Sequence, residues 1–149
     1  MPKYNVDRIR QIIGEINSSI HKLNRYSRLS EEEFLSNTER IDSAKYNLII
    51  AIEGAIDICN SIVAHAGGRA PQDHADCFTI LGELNMLSPE FIERLKKMAK
   101  FRNLLVHLYW KVDDKKVLQI LKEDIQDIKD YIEEIKKIIR GKENKKVNS

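Results

Sequence analysis

From Leu118 to Ile139, large aliphatic residues recur at alternating spacings of three and four: Leu118, Leu121, Ile125, Ile128, Ile132, Ile135 and Ile139. Side chains spaced this way return to one face of an α-helix, whereas a strand would send neighbours to opposite faces. Such a seam needs a partner. The chain supplies partners of its own, since Ile9, Ile12, Ile13, Ile16, Ile20 and Leu23 make a second stripe within 5–28. Ala44, Leu48, Ala51, Ile52, Ala55, Ile56, Cys59, Ile62 and Val63 make a third. Packing between these stripes is therefore expected inside one bundle rather than in an isolated coiled coil. With six Gly and three Pro in 149 residues, there is little material for the turns of an all-β fold. The expectation is an all-α, antiparallel helical bundle of four to five main helices plus short ones, able to dimerise. It forms a single domain over 1–140, with a flexible tail over 141–149.

Local signals set the helix ends. Ser30 followed by Glu33 is a capping-box pattern that opens a short helix over about 31–36. Asn37 or Thr38 caps the next helix, which runs to about Ala66 and stops at Gly67-Gly68. Small residues at 51, 54 and 55 allow close helix packing. A short helix follows from about Ala75 to Leu84, after a connector from Arg69 to His74. Ser88-Pro89 places a capping hydroxyl before a proline at the first helical position, so a helix begins there and runs to about 109. Asp113-Asp114 puts carboxylates at the start of one last helix, which Gly141 ends.

The net charge of +2 does not argue for nucleic acid by itself. Its distribution says more. Arg94, Lys96, Lys97, Lys100, Arg102 and Lys111 fall between 94 and 111 with no acid among them. A solvated helix face is the plain reading of that run. Cys59 and Cys77 lie in apolar surroundings without metal-ligand spacing, which reads as two reduced, buried thiols. No run of about 18 apolar residues suggests a membrane span, and the N-terminus lacks the apolar core of a signal peptide. No metal or cofactor is expected, and the cytoplasm is the expected location.

The stretch MAKFRNLLVHLYW, residues 98 to 110, crowds Arg102, Asn103, His107, Tyr109 and Trp110 among leucines. On a helix advancing about 100° per residue from Arg102, Met98, Phe101, Leu104, Leu105 and Leu108 fall between about 200° and 320°, the arc expected to face the core. The five polar or amphipathic side chains share the other half with Val106 and Ala99. Such a mixed face is expected to be partly buried, in a cleft or against a second subunit. Arginine offers a permanent charge and a planar fork for phosphate oxygens, and histidine gives or takes a proton near neutrality. Together they meet the needs of RNA cleavage without a metal: proton transfers at the 2′- and 5′-oxygens and a cation for the developing charge. One histidine per chain serves one transfer at a time, so a dimer would supply both. The bland alternative is a structural salt bridge and a core hydrogen bond.

The segment RNLLVHLY, Arg102 to Tyr109, fits an R-x-x-x-x-H-x-Y motif and resembles the HepT toxins, a branch of the HEPN superfamily. AIEGAIDICNSIVAHAGGRAP, HADCFTILGELNML and PEFIERLKKMAKFRN resemble the same family, and the likeness covers about residues 5 to 139. It implies an all-α homodimer whose motif helices meet at the active cleft. It implies a metal-independent RNase acting as the toxin of a toxin–antitoxin pair. It also implies an antitoxin partner, an MntA-type nucleotidyltransferase that transfers AMP to the motif tyrosine. By position, Arg102 and His107 are the implied catalytic pair, Asn103 is supporting, and Tyr109 is the modification site. His74 departs from the family's usual aromatic residue at that point and reads as a loop residue, or as an additional proton donor if it reaches the cleft. His21 and His65 read as structural. Glu53 and Asp57 are candidate partners for Arg102. The competing reading is a non-catalytic helical dimer that binds a nucleotidyltransferase or a nucleotide. A DNA-binding regulator is weaker, since no helix-turn-helix spacing stands out.

Overall fold

The structure is a computed structural model that describes the backbone of residues 4–147 and the side chains of residues 4–141. Seven α-helices follow one another: α1 Val6–Ser27, α2 Glu31–Leu35, α3 Thr38–Ala66, α4 His74–Glu83, α5 Pro89–His107, α6 Asp114–Glu123 and α7 Ile125–Val147. A 3-10 turn, Tyr109–Lys111, joins α5 to α6. The caps form as the sequence predicts. Ser30 and Glu33 close a reciprocal capping box, and Asn37 Oδ1 accepts from the Arg40 amide at 3.0 Å. Ser88 Oγ accepts from Phe91, and Gly67 ends α3 in the left-handed region at φ 78°.

The long α3 is the axis of the bundle and packs against α1, α4, α5 and α7. Gly54 permits its close approach to α1, since a Cβ there would lie 2.6 Å from Ile16 Cγ1. Tyr131 of α7 is fully buried, donates to the Ala55 carbonyl at 2.9 Å, and meets Phe78 edge-on. Cys59 and Cys77 are free thiols buried side by side between α3 and α4, and burial pushes the Cys59 thiol up. By length and hydropathy α3 is apolar enough to cross a bilayer, contrary to the expectation from apolar runs. Its stripe from Ala44 to Val63 is nevertheless spent on packing within the bundle.

Three boundaries differ from the sequence reading. The seam from Leu118 to Ile139 is buried throughout, but it is divided between two helices at Asp124. There the ladder tightens, with the Asp127 amide donating to the Asp124 carbonyl. The break lets α6 pack against α1 and α2 while α7 packs against α3 and α5. Gly141 does not stop the last helix, which continues to Val147. One glycine costs about 1 kcal/mol relative to alanine in a helix and leaves the hydrogen-bond ladder intact. Of the expected tail, the side chains beyond 141 lie outside the described residues. Finally, α5 ends at His107, because Leu108 leaves the helical region at φ −133° and ψ 42°.

Candidate active site

The burial of α5 is rotated from the arc drawn on an ideal helix. Met98, Phe101 and Leu105 are buried as expected; Ala99, placed on the other half of the wheel, is buried as well, and so is Leu95. Leu104 and Leu108 were expected in the core but are exposed. The buried face is centred close to the direction of Arg102, so the arginine lies at the edge of the core, against α3, rather than opposite it.

Arg102 is therefore held. Its Nε and Nη2 donate to Glu53 Oε1 at 3.2 and 2.6 Å, and its Nη1 donates to Asn103 Oδ1 at 3.0 Å. Its side chain is only 15% exposed. Three of the five guanidinium donors are used, which leaves one N–H on each terminal nitrogen. The fork opens into a cavity of about 230 Å3 lined by Glu53, Ile56, Asp57, Asn60, His74 and Arg102. Asp57, the other expected partner of Arg102, lines this cavity without an ion pair to the arginine among the described residues. Burial and the neighbouring Glu53 push its carboxyl up. Asn103 is committed to Arg102, and no hydrogen bond links it to His107 among the described residues.

His107 is exposed at the last residue of α5 and does not line the Arg102 cavity. Around it stand Leu104, Val106, Leu108 and Trp110, all exposed, with Trp110 76% accessible. Within one chain, Arg102 and His107 are thus near in sequence but open onto different surfaces. A wider cleft of about 790 Å3, between the α4–α5 connection and α7, contains none of the motif residues.

Tyr109 lies past the end of α5, so its position on the helical wheel does not apply. It turns toward α3, where its hydroxyl donates to Asp42 Oδ1 at 2.7 Å. The ammonium of Lys45 lies 4.4 Å from the ring centroid and donates to the Tyr109 carbonyl at 3.3 Å. Lys45 is buried and also pairs with Asp114 at 3.0 Å. Burial, followed by the Asp42 carboxylate, raises the Tyr109 phenol well above its ordinary value. Neither Asp42 nor Lys45 was foreseen. The one signal in the sequence is a lysine set directly after Ala44 in the apolar stripe of α3.

Residues 16–135 match the family described as "Ribonuclease HepT-like". The chain belongs to this HepT-like family. A putative RNase of Archaeoglobus fulgidus is 38% identical over 97 residues, 60% of this chain and 73% of that protein. The mRNA nuclease HepT of Shewanella oneidensis is 33% identical over 95 residues, 64% of this chain and 71% of its own length. Among solved structures, the tri-AMPylated Shewanella oneidensis HEPN toxin in complex with MNT antitoxin superposes with a TM-score of 0.79 at 28% identity. That alignment covers 86% of this chain and 96% of the other. The all-α architecture expected from the resemblance is thus shared with a HEPN toxin. In this HepT-like chain the motif arginine and tyrosine both turn toward α3, and the motif histidine points to solvent.

Proposed function

We propose that this chain is the ribonuclease toxin of a toxin–antitoxin pair, acting in the cytoplasm as a homodimer without a metal ion. In this reading Arg102 binds the scissile phosphate, Asn103 steadies its fork, and His107 is a general acid/base. The observation that carries the reading is the arginine fork, fixed on one side by Glu53 and Asn103 with a donor left on each terminal nitrogen. A preorganised cation of this kind stabilises charge as it develops on a phosphorane without reorganising. The exposed apolar collar around His107 supports self-association, because a twofold contact over Leu104, Val106, Leu108 and Trp110 would bury it and bring two histidines into one cleft. Beside Leu104, a groove of about 400 Å3 carries Arg94, Lys97, Lys100 and Lys116 along with Asp124 and Asp127, and its basic residues suit RNA phosphates. No feature of the groove selects transfer RNA over messenger RNA.

Tyr109 is the proposed acceptor for AMP from an MntA-type nucleotidyltransferase antitoxin. Its raised pKa means that the phenol is protonated at neutral pH. Its oxygen would form a bond to the α-phosphorus of ATP while the bond to pyrophosphate breaks, and Asp42, which already accepts the phenol's hydrogen bond, would receive the proton. An attached phosphodiester would then add negative charge beside the motif and oppose RNA.

Purified protein is expected to cut RNA in the presence of EDTA. Arg102→Ala and His107→Ala should each slow cutting by about 100-fold or more while the helical circular dichroism spectrum and the dimer persist. EDTA-sensitive cutting, or full activity in His107→Ala, would count against the reading. The competing binding-module reading has one observation in its favour: the Arg102–Glu53 contact is the ion pair a purely structural arginine would make. It predicts intact RNA with the wild-type protein, and weaker partner or nucleotide binding by Arg102→Ala.

A further inference from the structure

The cavity that receives Arg102 also receives an imidazole, and it is not the motif's. His74 is the first residue of α4 and lines the same space as the guanidinium. Glu53, Ile56, Asp57 and Asn60, at one helical face of α3, form the floor. We propose that His74 is a second proton-transfer residue of the Arg102 phosphate site, carrying one of the two proton movements of RNA cleavage while His107 carries the other. The proposal rests on the ribonuclease reading above.

His74 stands on fixed backbone. Asp73 caps α4 by accepting from the Asp76 amide at 2.7 Å. Asp76 in turn takes a two-pronged contact from Arg69 at 2.6 and 2.8 Å and accepts from the Gln72 amide at 3.0 Å. The imidazole itself is exposed and makes no hydrogen bond among the described residues, so both ring nitrogens are open to a substrate. The charged groups around it are Glu53 and Asp57 of α3 and Arg102 of α5, with Arg8 and Glu15 of α1 close enough to act on Asp57. His21 and His65 do not line the cavity, and His65 is bonded to the Ser61 carbonyl of its own helix.

The chemistry needs two such groups. The 2′-oxygen forms a bond to phosphorus as the bond to the 5′-oxygen breaks, which gives a 2′,3′-cyclic phosphate and a free 5′-hydroxyl. One imidazole accepts the 2′-hydroxyl proton, and the other, already protonated, gives its proton to the 5′-oxygen. Entering and leaving oxygens lie on opposite sides of phosphorus, so a single ring does not reach both in one step. His74 lines the Arg102 cavity from the start of α4, whereas His107 of the same chain opens onto a different surface, so the second ring would come from the other copy of the proposed homodimer.

The test is the pH–rate profile for cleavage of total tRNA and of an mRNA transcript, with EDTA present, for the wild type, His74→Gln, His107→Ala and His21→Gln. Wild type should give a bell, and His21→Gln should follow it. His74→Gln should retain RNA binding and thermal stability, cut about 100-fold more slowly at the optimum, and lose one limb of the bell. Loss of the acid limb assigns His74 as base, loss of the alkaline limb assigns it as acid, and either supports the proposal. A profile that keeps both limbs, at any rate, overturns it, because a structural role lowers the curve without removing a titration. If His107→Ala is inactive while His74→Gln keeps both limbs, only this proposal fails. A wild-type protein that cuts neither RNA overturns the ribonuclease reading and this inference together.

Discussion

The middle of α3 and the end of α5 are both rich in large apolar residues, yet they finish in opposite states. From Leu48 to Val63 the apolar side chains of α3 are buried against the surrounding helices, with Tyr131 donating to the Ala55 carbonyl. From Leu104 to Trp110 only Leu105 is fully buried, and three aliphatic residues and a tryptophan face solvent around His107. The first region is satisfied within one chain. The second carries an apolar surface that the chain itself does not cover, which is the signature of a surface kept for another molecule.

The contrast can be broken by substitution. Ile52→Ala removes a fully buried side chain from α3 and should destabilise the fold by about 3 kcal/mol, read from denaturant unfolding. A loss under about 1 kcal/mol would mean that α3 is less tightly packed than its burial indicates. Leu104→Asp combined with Leu108→Asp should do the reverse. Self-association, measured by sedimentation equilibrium, should weaken about 100-fold or more, while monomer stability changes little because both residues are exposed. An unchanged oligomer would remove the collar from the proposed interface.

Smaller effects sharpen the same line. Gly54→Ala forces a methyl against Ile16 at the α1–α3 contact and should cost about 2 kcal/mol by thermal denaturation. The smallest effect is electrostatic and lies outside both regions. Arg69, together with the Gln72 amide, holds the Asp76 carboxyl down at about 2, from 3.8. A depressed carboxylate contributes stability above its unfolded pKa and loses it as pH falls through the folded one. The difference in Tm between wild type and Asp76→Asn should therefore be present at neutral pH and close between about pH 4 and pH 2. A gap that persists below pH 2 would assign the effect to packing.

Much of the fold was legible because its signals are local. Ser30 with Glu33, Asn37, Ser88-Pro89 and Gly67 each act within about one helical turn, and each helix start they mark is where expected. Part of the candidate site was legible for the same reason: Asn103 is next to Arg102 in the chain, and Glu53 lies on the polar edge of a periodic helix. The features that escaped are those that depend on a distant partner. Asp124 interrupts a seam whose spacing is unbroken, because α6 reaches α2 while α7 reaches α5, although both also pack on α1 and α3. His74 reads as a connector residue until α3 and α5 are set beside it.

The period of its apolar residues and the chemistry of its caps by themselves determined that this protein is a helical bundle in which one helix carries Arg102 and His107. Tertiary packing alone decided which edge of that helix is buried, that Leu104 and Leu108 stay outside, that Tyr109 leaves the helix to meet Asp42 and Lys45, and that Arg102 shares its cavity with His74. The division has a physical cause. Helix formation and capping are settled by interactions a few residues apart, whereas a side chain's exposure and neighbours depend on contacts with distant segments, such as the 67 residues that separate Tyr109 from Asp42.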